Sequence, residues 1–166
     1  MKDRVRETLF NLLGPDVTGA LAIDLFAGSG ALAFESLSRG AARAILVERH
    51  FPTADLIRRS ARALGVADRV DVQPGDSLLW ARRMPPLPTD LPWIVFVSPP
   101  WSFFADRLAD LTPLIEAFVE AAPPRSIVVV ESDAAFDPAR LPRADTWRSR
   151  PLEPAVLHLW TSGAAP

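Results

Sequence analysis

The 166-residue chain contains no cysteine and no tyrosine, and it has two histidines. The missing thiols exclude disulfides and thiolate metal sites. Two histidines, His50 and His158, are too few for a histidine-rich metal centre, so no metal site is expected. No apolar run approaches the roughly 20 residues of a membrane span, so no membrane contact is expected. The opening Met1-Lys2-Asp3-Arg4-Val5-Arg6-Glu7 is polar and partly acidic, which is not the pattern of a secretory signal. The cytoplasm is the expected location. Charge of one sign is also lacking: the net charge is −2, whereas a protein that grips nucleic acid by its backbone alone is usually basic. Any nucleic-acid contact must come from local arginine clusters. Apolar residues make up 49% of the chain, enough to give residues 1–166 the core of a single domain.

The apolar pattern alternates between two periods. Residues 3–13 read as an amphipathic helix with Val5, Leu9, Leu12 and Leu13 on one face, capped by Asp3 and stopped by Gly14-Pro15. Residues 20–26 form a short apolar run broken by Asp24, which reads as a buried strand. Helices are predicted over 31–38, 52–64 and 77–83, with strands over 44–48, 70–72, 93–97 and 127–130. Pro52 suits a first helical turn. Thr112-Pro113 has the form of an N-cap and first-turn proline for a helix ending at Ala122. Residues 85–92 hold four prolines and must be a surface loop. Residues 147–150 and 155–161 are too close for a crossover helix and predict an antiparallel hairpin. The alternation predicts an α/β fold, a mostly parallel sheet with helices on both faces and a C-terminal antiparallel hairpin.

In such sheets ligands bind at the carboxyl ends of the strands. Polar residues of chemical interest follow each strand: Asp24 and Gly28, Glu48, Asp76, Ser98 and Glu131. The run Asp24-Leu25-Phe26-Ala27-Gly28-Ser29-Gly30 joins a strand to a helix, and its glycines permit a sharp turn and close approach to a ligand. Gly-x-Gly-x-x-Ala also satisfies a dinucleotide fingerprint, or serves as a plain turn. A carboxylate inside an apolar strand is costly unless paired. Asp24 can meet a cationic group such as the amino end of S-adenosylmethionine (SAM), and it argues against a pyrophosphate and a nicotinamide dehydrogenase. Glu48, twenty residues after Gly28, can accept both ribose hydroxyls, or can be an exposed loop acid. Asp76 can accept from an adenine amine, cap the helix that starts at Ser77, or do both. Phe26, Ala27, Ser29, Ser77 and Arg49 join the cofactor set by position, although Arg49 reads more as surface than ligand.

Ser98-Pro99-Pro100-Trp101 follows the fourth strand directly. Two prolines fix the backbone, remove two donors and leave carbonyls to accept from an exocyclic amine. Trp101 offers a stacking face for a flipped base. The plain alternative is a rigid turn with a core tryptophan. Trp80, Trp93, Trp147 and Trp160 read as core or edge packing. Most arginines, including Arg39, Arg43, Arg58, Arg59, Arg62, Arg82, Arg83, Arg148 and Arg150, read as solvated faces.

The stretches 3–11 and 24–31, with Glu35, Ser38-Arg39-Gly40-Ala41, Val47-Glu48 and Ser98-Pro99-Pro100-Trp101, resemble the RsmD family. That resemblance implies a seven-strand, Rossmann-like SAM-methyltransferase fold. It implies a SAM cofactor and transfer to the N2 amine of a guanine in small-subunit ribosomal RNA, met in the assembling subunit. It makes Ser98 to Trp101 the catalytic group, with Arg4 and Arg6 as the RNA-binding pair, and a monomer is expected. Two departures stand out. The family's Asp-Pro-Pro-aromatic order carries Ser98 in place of the acid, the order found in DNA cytosine-N4 methyltransferases. The family's segment before Asp3 is expected to be missing. Ser98 leaves open an active guanine methyltransferase, an enzyme for another amine (DNA cytosine N4 or a small molecule), and a SAM-binding pseudoenzyme or ribosome-binding module.

Overall fold

The computed structural model describes residues 3–163. Seven strands form one sheet in the order β3-β2-β1-β4-β5-β7-β6. They are β1 (Leu21–Asp24), β2 (Arg43–Glu48), β3 (Val70–Pro74), β4 (Trp93–Val97), β5 (Ile127–Asp133), β6 (Arg148–Leu152) and β7 (Ala155–Thr161). The first five are parallel, and β6 and β7 add the antiparallel hairpin to β5. The expected mostly parallel sheet with a C-terminal hairpin is therefore present.

Among the described residues six α-helices cover the sheet: α1 (Asp3–Leu13), α2 (Ala31–Ser38), α3 (Phe51–Ala63), α4 (Ser77–Arg82), α5 (Ser102–Asp106) and α6 (Leu108–Ala121). Successive strand residues point to opposite faces, and the core divides accordingly. Ala22, Phe96, Val129 and Leu157 pack with α1, α2 and α3 on one face. Ile23, Val95, Val128 and Trp160 pack with α4, α5 and α6 on the other. Each fully buried aliphatic side chain contributes on the order of 1.5–3 kcal/mol. The apolar strand side chains are therefore satisfied by packing, and the buried polar ones stand near the strand ends or, like His158, on polar neighbours of the next strands. The parity that buries Ala22 and Phe96 also sends Asp24, Ser98 and Glu131 to the α1–α3 face at the strand ends.

Three expectations are corrected. In α1 the buried residues are Val5, Leu9, Phe10 and Leu13, while Leu12 is 48% exposed, because the helical turn puts Phe10 rather than Leu12 over the sheet. The proline at 113 does not open its helix. α6 starts at Leu108 and carries Pro113 inside. An interior proline costs about 3 kcal/mol or more, and burial of Leu108 and Leu111 in the extra turns offsets it. The short helix α5 was not foreseen. Trp93 and Trp160 are buried and Trp80 and Trp147 pack at the core's margin, as expected.

Candidate active site

The β1–α2 loop is fastened across the top of the sheet. Leu25 N–H donates to Phe96 O at 3.1 Å, and Ala27 N–H donates to Val47 O at 3.1 Å. Gly28 N–H donates to Glu48 Oε2 at 2.8 Å. Gly28 (φ 52°) and Gly30 (φ 79°) both lie in the left-handed region, which glycine enters without strain. Their surroundings differ. A Cβ on Gly30 would stand 2.9 Å from Phe34 Cε2, whereas one on Gly28 would meet nothing within 4 Å. Gly30 is required by packing, and Gly28 faces open space.

Asp24 ends β1, 1% exposed, and its Oδ1 has no hydrogen-bond partner among the described residues. Burial pushes its carboxyl up to about 7, with Glu48 adding a smaller push and the Phe26 N–H opposing both. An orphaned buried acid is costly unless a ligand pairs with it. Asp24 lines a cavity of about 280 Å³ with Phe26 to Ser29, Arg6 and Ser98. A second cavity of about 350 Å³ holds Phe26, Gly28, Glu48, Asp76 and Ser98 to Pro100. The two share Phe26, Gly28 and Ser98 and together give room for a nucleoside-sized ligand.

The acids of this cleft have partners that leave capacity for more. Glu48 Oε1 accepts from His50 N–H at 2.8 Å, as Oε2 does from Gly28, and each carboxylate oxygen keeps a further lone pair. Asp76 caps α4, with Oδ1 accepting from Leu78 N–H at 2.8 Å and Leu79 N–H at 3.2 Å, which leaves Oδ2 free of the cap. The Ser77 hydroxyl donates to the Leu25 carbonyl and is buried, so its hydroxyl serves the fold. Arg49 lines the outer cleft.

A third cavity, about 380 Å³, lies on the far side of the proline pair and is lined by Val5, Ser98 to Trp101, Glu131 and Pro154 with Ala155. Ser98 borders all three cavities, and Pro99 and Pro100 form the wall between two of them. Trp101 is half-buried against the α1 core. The carbonyls were expected to stand free, and one of them does not. The Pro100 carbonyl accepts from Phe103 N–H at 2.9 Å because α5 begins there, while no backbone donor reaches the Ser98 or Pro99 carbonyls among the described residues.

Arg4 and Arg6 separate. Arg6 borders the Asp24 cavity and pairs with Asp3 at 3.0 Å, whereas Arg4 is exposed and lines none of these three cavities. Arg58 pairs with Asp55 at 2.8 Å and donates to Val72 O, a surface role. Phe103 and Pro154 line the site without having been marked by the sequence. Phe103 packs edge-on to Phe26 with centroids 6.1 Å apart. Pro154 comes from the β6–β7 turn, whose approach depends on sheet order. Glu131, named in sequence with the other strand-end residues though given no role, lines the third cavity. Among the described residues no group of three or more histidines and acids could hold a metal, and no helix is long and apolar enough to cross a membrane.

Comparison with known proteins gives the same frame. Ribosomal RNA small subunit methyltransferase D of Escherichia coli (strain K12) is 39% identical over 99 residues, covering 60% of this chain and 48% of that protein. The chain thus spans about half the length of the curated relatives it matches. The solved yhhF protein of Escherichia coli superposes with a TM-score of 0.77 at 28% identity, covering 97% of this chain and 86% of that one. An RNA methyltransferase from Salinibacter ruber, solved with S-adenosyl-L-homocysteine, shares the fold with a TM-score of 0.70 at 22% identity, covering 100% and 95%. A family model described as conserved hypothetical protein 95 matches residues 1–158. The chain belongs to that family, and the RsmD-like resemblance read from its motifs is borne out.

Proposed function

We propose that this protein is a SAM-dependent methyltransferase that modifies the N2 amine of a guanine in small-subunit ribosomal RNA, in the cytoplasm. The observation that carries this reading is the junction at Ser98 to Pro100: an acid-and-glycine cleft and a proline–tryptophan pocket share these three residues, and Ser98 borders all three cavities. A cofactor in the first and a base in the second would present their reacting atoms to each other there. The names of the E. coli relative and of the S. ruber protein with its bound S-adenosyl-L-homocysteine support the same chemistry.

SAM supplies a methyl group already activated on a sulfonium, so the protein's task is mainly positioning. The unpartnered Asp24 Oδ1 fits the ammonium end of that nucleoside. Glu48 accepts from the ribose hydroxyls with the lone pairs its backbone donors leave, and Asp76 Oδ2 accepts from the adenine amine. On the other side Trp101 stacks the base, for about 1–3 kcal/mol. The Ser98 and Pro99 carbonyls accept from the amine. RNA bases are read in this way when unstacked from a helix. Arg6, at the cavity mouth, is the better candidate of the arginine pair for a phosphate.

The test is incubation with methyl-labelled SAM and small-subunit particles that lack the modification. Label on guanine N2 supports the proposal. SAM binding without transfer overturns its catalytic part, and label on a cytosine amine overturns its substrate.

A further inference from the structure

The geometry points to Glu131 as the residue that selects guanine, by accepting hydrogen bonds from N1–H and N2–H of the base edge. The inference rests on the methyltransferase reading and adds the group that recognises the substrate. Glu131 is 5% exposed. No side-chain hydrogen bond or ion pair engages it among the described residues, and the surface it retains opens into the cavity bordered by Ser98, Pro99, Pro100 and Trp101. A carboxylate that lines a cavity without a protein partner keeps both oxygens available to a hydrogen-donating ligand.

The register fixes its relation to the proline pair. Val97 on β4 pairs with Val130 on β5, so Ser98 and Glu131 are the next residues on adjacent parallel strands. Both face the α1 side by strand parity. The motif at 98–101 carries no acid of its own, and β5 brings one alongside.

The chemistry that a carboxylate recognises is restricted. It offers two acceptor oxygens and no donor. Guanine presents two adjacent donors, N1–H and N2–H, and matches it. Adenine and cytosine present an amine beside a bare ring nitrogen, whose lone pair would oppose the second oxygen. With one N2 hydrogen held by Glu131 and the other by the Ser98 or Pro99 carbonyl, the amine is fixed in the base plane. Its lone pair is then left perpendicular to that plane, toward the cofactor cleft.

The experiment compares the parent protein with E131Q and E131D, each saturated with S-adenosyl-L-homocysteine. Calorimetry first measures affinity for that nucleoside. Equal affinity in all three shows that the variants fold, and its absence in the parent overturns the underlying reading rather than this one. Binding of fluorescent 2-aminopurine riboside is then followed directly, with guanosine as competitor. 2-Aminopurine keeps the N2 amine but has an acceptor at N1. The parent should prefer guanosine, and E131D should keep that preference. The E131Q amide can donate to N1 while accepting from N2, and should move the ratio toward 2-aminopurine by about 10- to 100-fold, as expected for one bidentate contact. An unchanged ratio in E131Q, or a parent without preference for guanosine, overturns the assignment.

Discussion

The Gly28 N–H donates to Glu48 Oε2, and the 2.8 Å bond ties the β1–α2 loop to the end of β2. The same carboxylate takes the His50 N–H with its other oxygen, so both oxygens face amides. Glu48→Gln turns one acceptor into a donor facing an N–H. The loop should loosen, at a cost of about 1–3 kcal/mol. Affinity for SAM should fall about tenfold or more, and Glu48→Ala should do the same. Urea unfolding and calorimetry read the two effects, and an unaltered SAM affinity in both variants would remove Glu48 from the site.

Asp24 carries a cost that depends on pH. Its carboxyl titrates at about 7 in the fold, against 3.8 for an unburied aspartate, so the folded protein holds a proton that the unfolded chain releases. The penalty for ionising it is absent below pH 3.8, grows as pH rises to 7, and levels off at roughly 4 kcal/mol. Asp24→Asn should therefore gain stability over the parent as pH rises from 4 to 8, measured by urea unfolding. The cationic end of SAM favours the ionised form, so binding near pH 6.5 should expel a proton, and Asp24→Asn should bind at least tenfold more weakly. Calorimetry in two buffers of different ionisation heat reads the proton. The same apparent enthalpy in both would show that Asp24 does not face the cation.

The two loop glycines should fail in different ways. Gly30→Ala adds left-handed strain of roughly 1–2 kcal/mol and drives a methyl to within 2.9 Å of Phe34, so it should chiefly lower the melting temperature. Gly28→Ala carries the strain without the clash and puts its methyl into the cleft. It should lose more SAM affinity than Gly30→Ala for a smaller loss of stability. The reverse ranking would mean that the open space at Gly28 is not where the cofactor lies.

Trp101 can be separated from the cofactor side. It lines the pocket beyond the prolines and is absent from both cavities of the cleft. Trp101→Ala should leave SAM affinity within about twofold and lower methyl transfer by about 10- to 100-fold, the loss expected for one stacked base. A parallel loss of SAM affinity would assign Trp101 to packing alone.

The features legible in sequence were those written in local pattern. β4 follows from one apolar run, α2 from the segment between Gly30 and Gly40, and Asp24 announces itself as an acid in an apolar strand. The features that were not legible depend on neighbours distant in the chain. Pro113 looks like a helix start until Leu108 and Leu111 are seen to be buried in the turns before it. Pro100 looks like a free acceptor until α5 takes its carbonyl. Glu131 is legible as an acid that follows its strand, but its place beside the proline pair depends on β5 lying next to β4, a fact of strand order rather than of spacing.

The hairpin strand β7 carries a second buried titrating group whose effect opposes that of Asp24. His158 is 1% exposed and set between two hydroxyls, with Nε2 2.9 Å from Ser132 Oγ and Nδ1 2.7 Å from Ser149 Oγ. Phe136 lies edge-on to its ring at 5.8 Å. Burial lowers its pKa from 6.5 to about 4, so the folded protein keeps the ring neutral where the unfolded chain would protonate it. Its stabilising contribution is complete above pH 6.5 and is lost as pH falls to 4, for roughly 3 kcal/mol. Over that interval the Asp24 contribution changes in the opposite direction, and the two nearly cancel. The parent should therefore show a flat contribution from this pair between pH 4 and 6.5. Asp24→Asn should uncover a rise in stability with pH, and His158→Gln a fall. Ring proton shifts should show His158 neutral down to about pH 4. If the two single variants share the parent's slope across this window, neither group is buried in the state assigned to it.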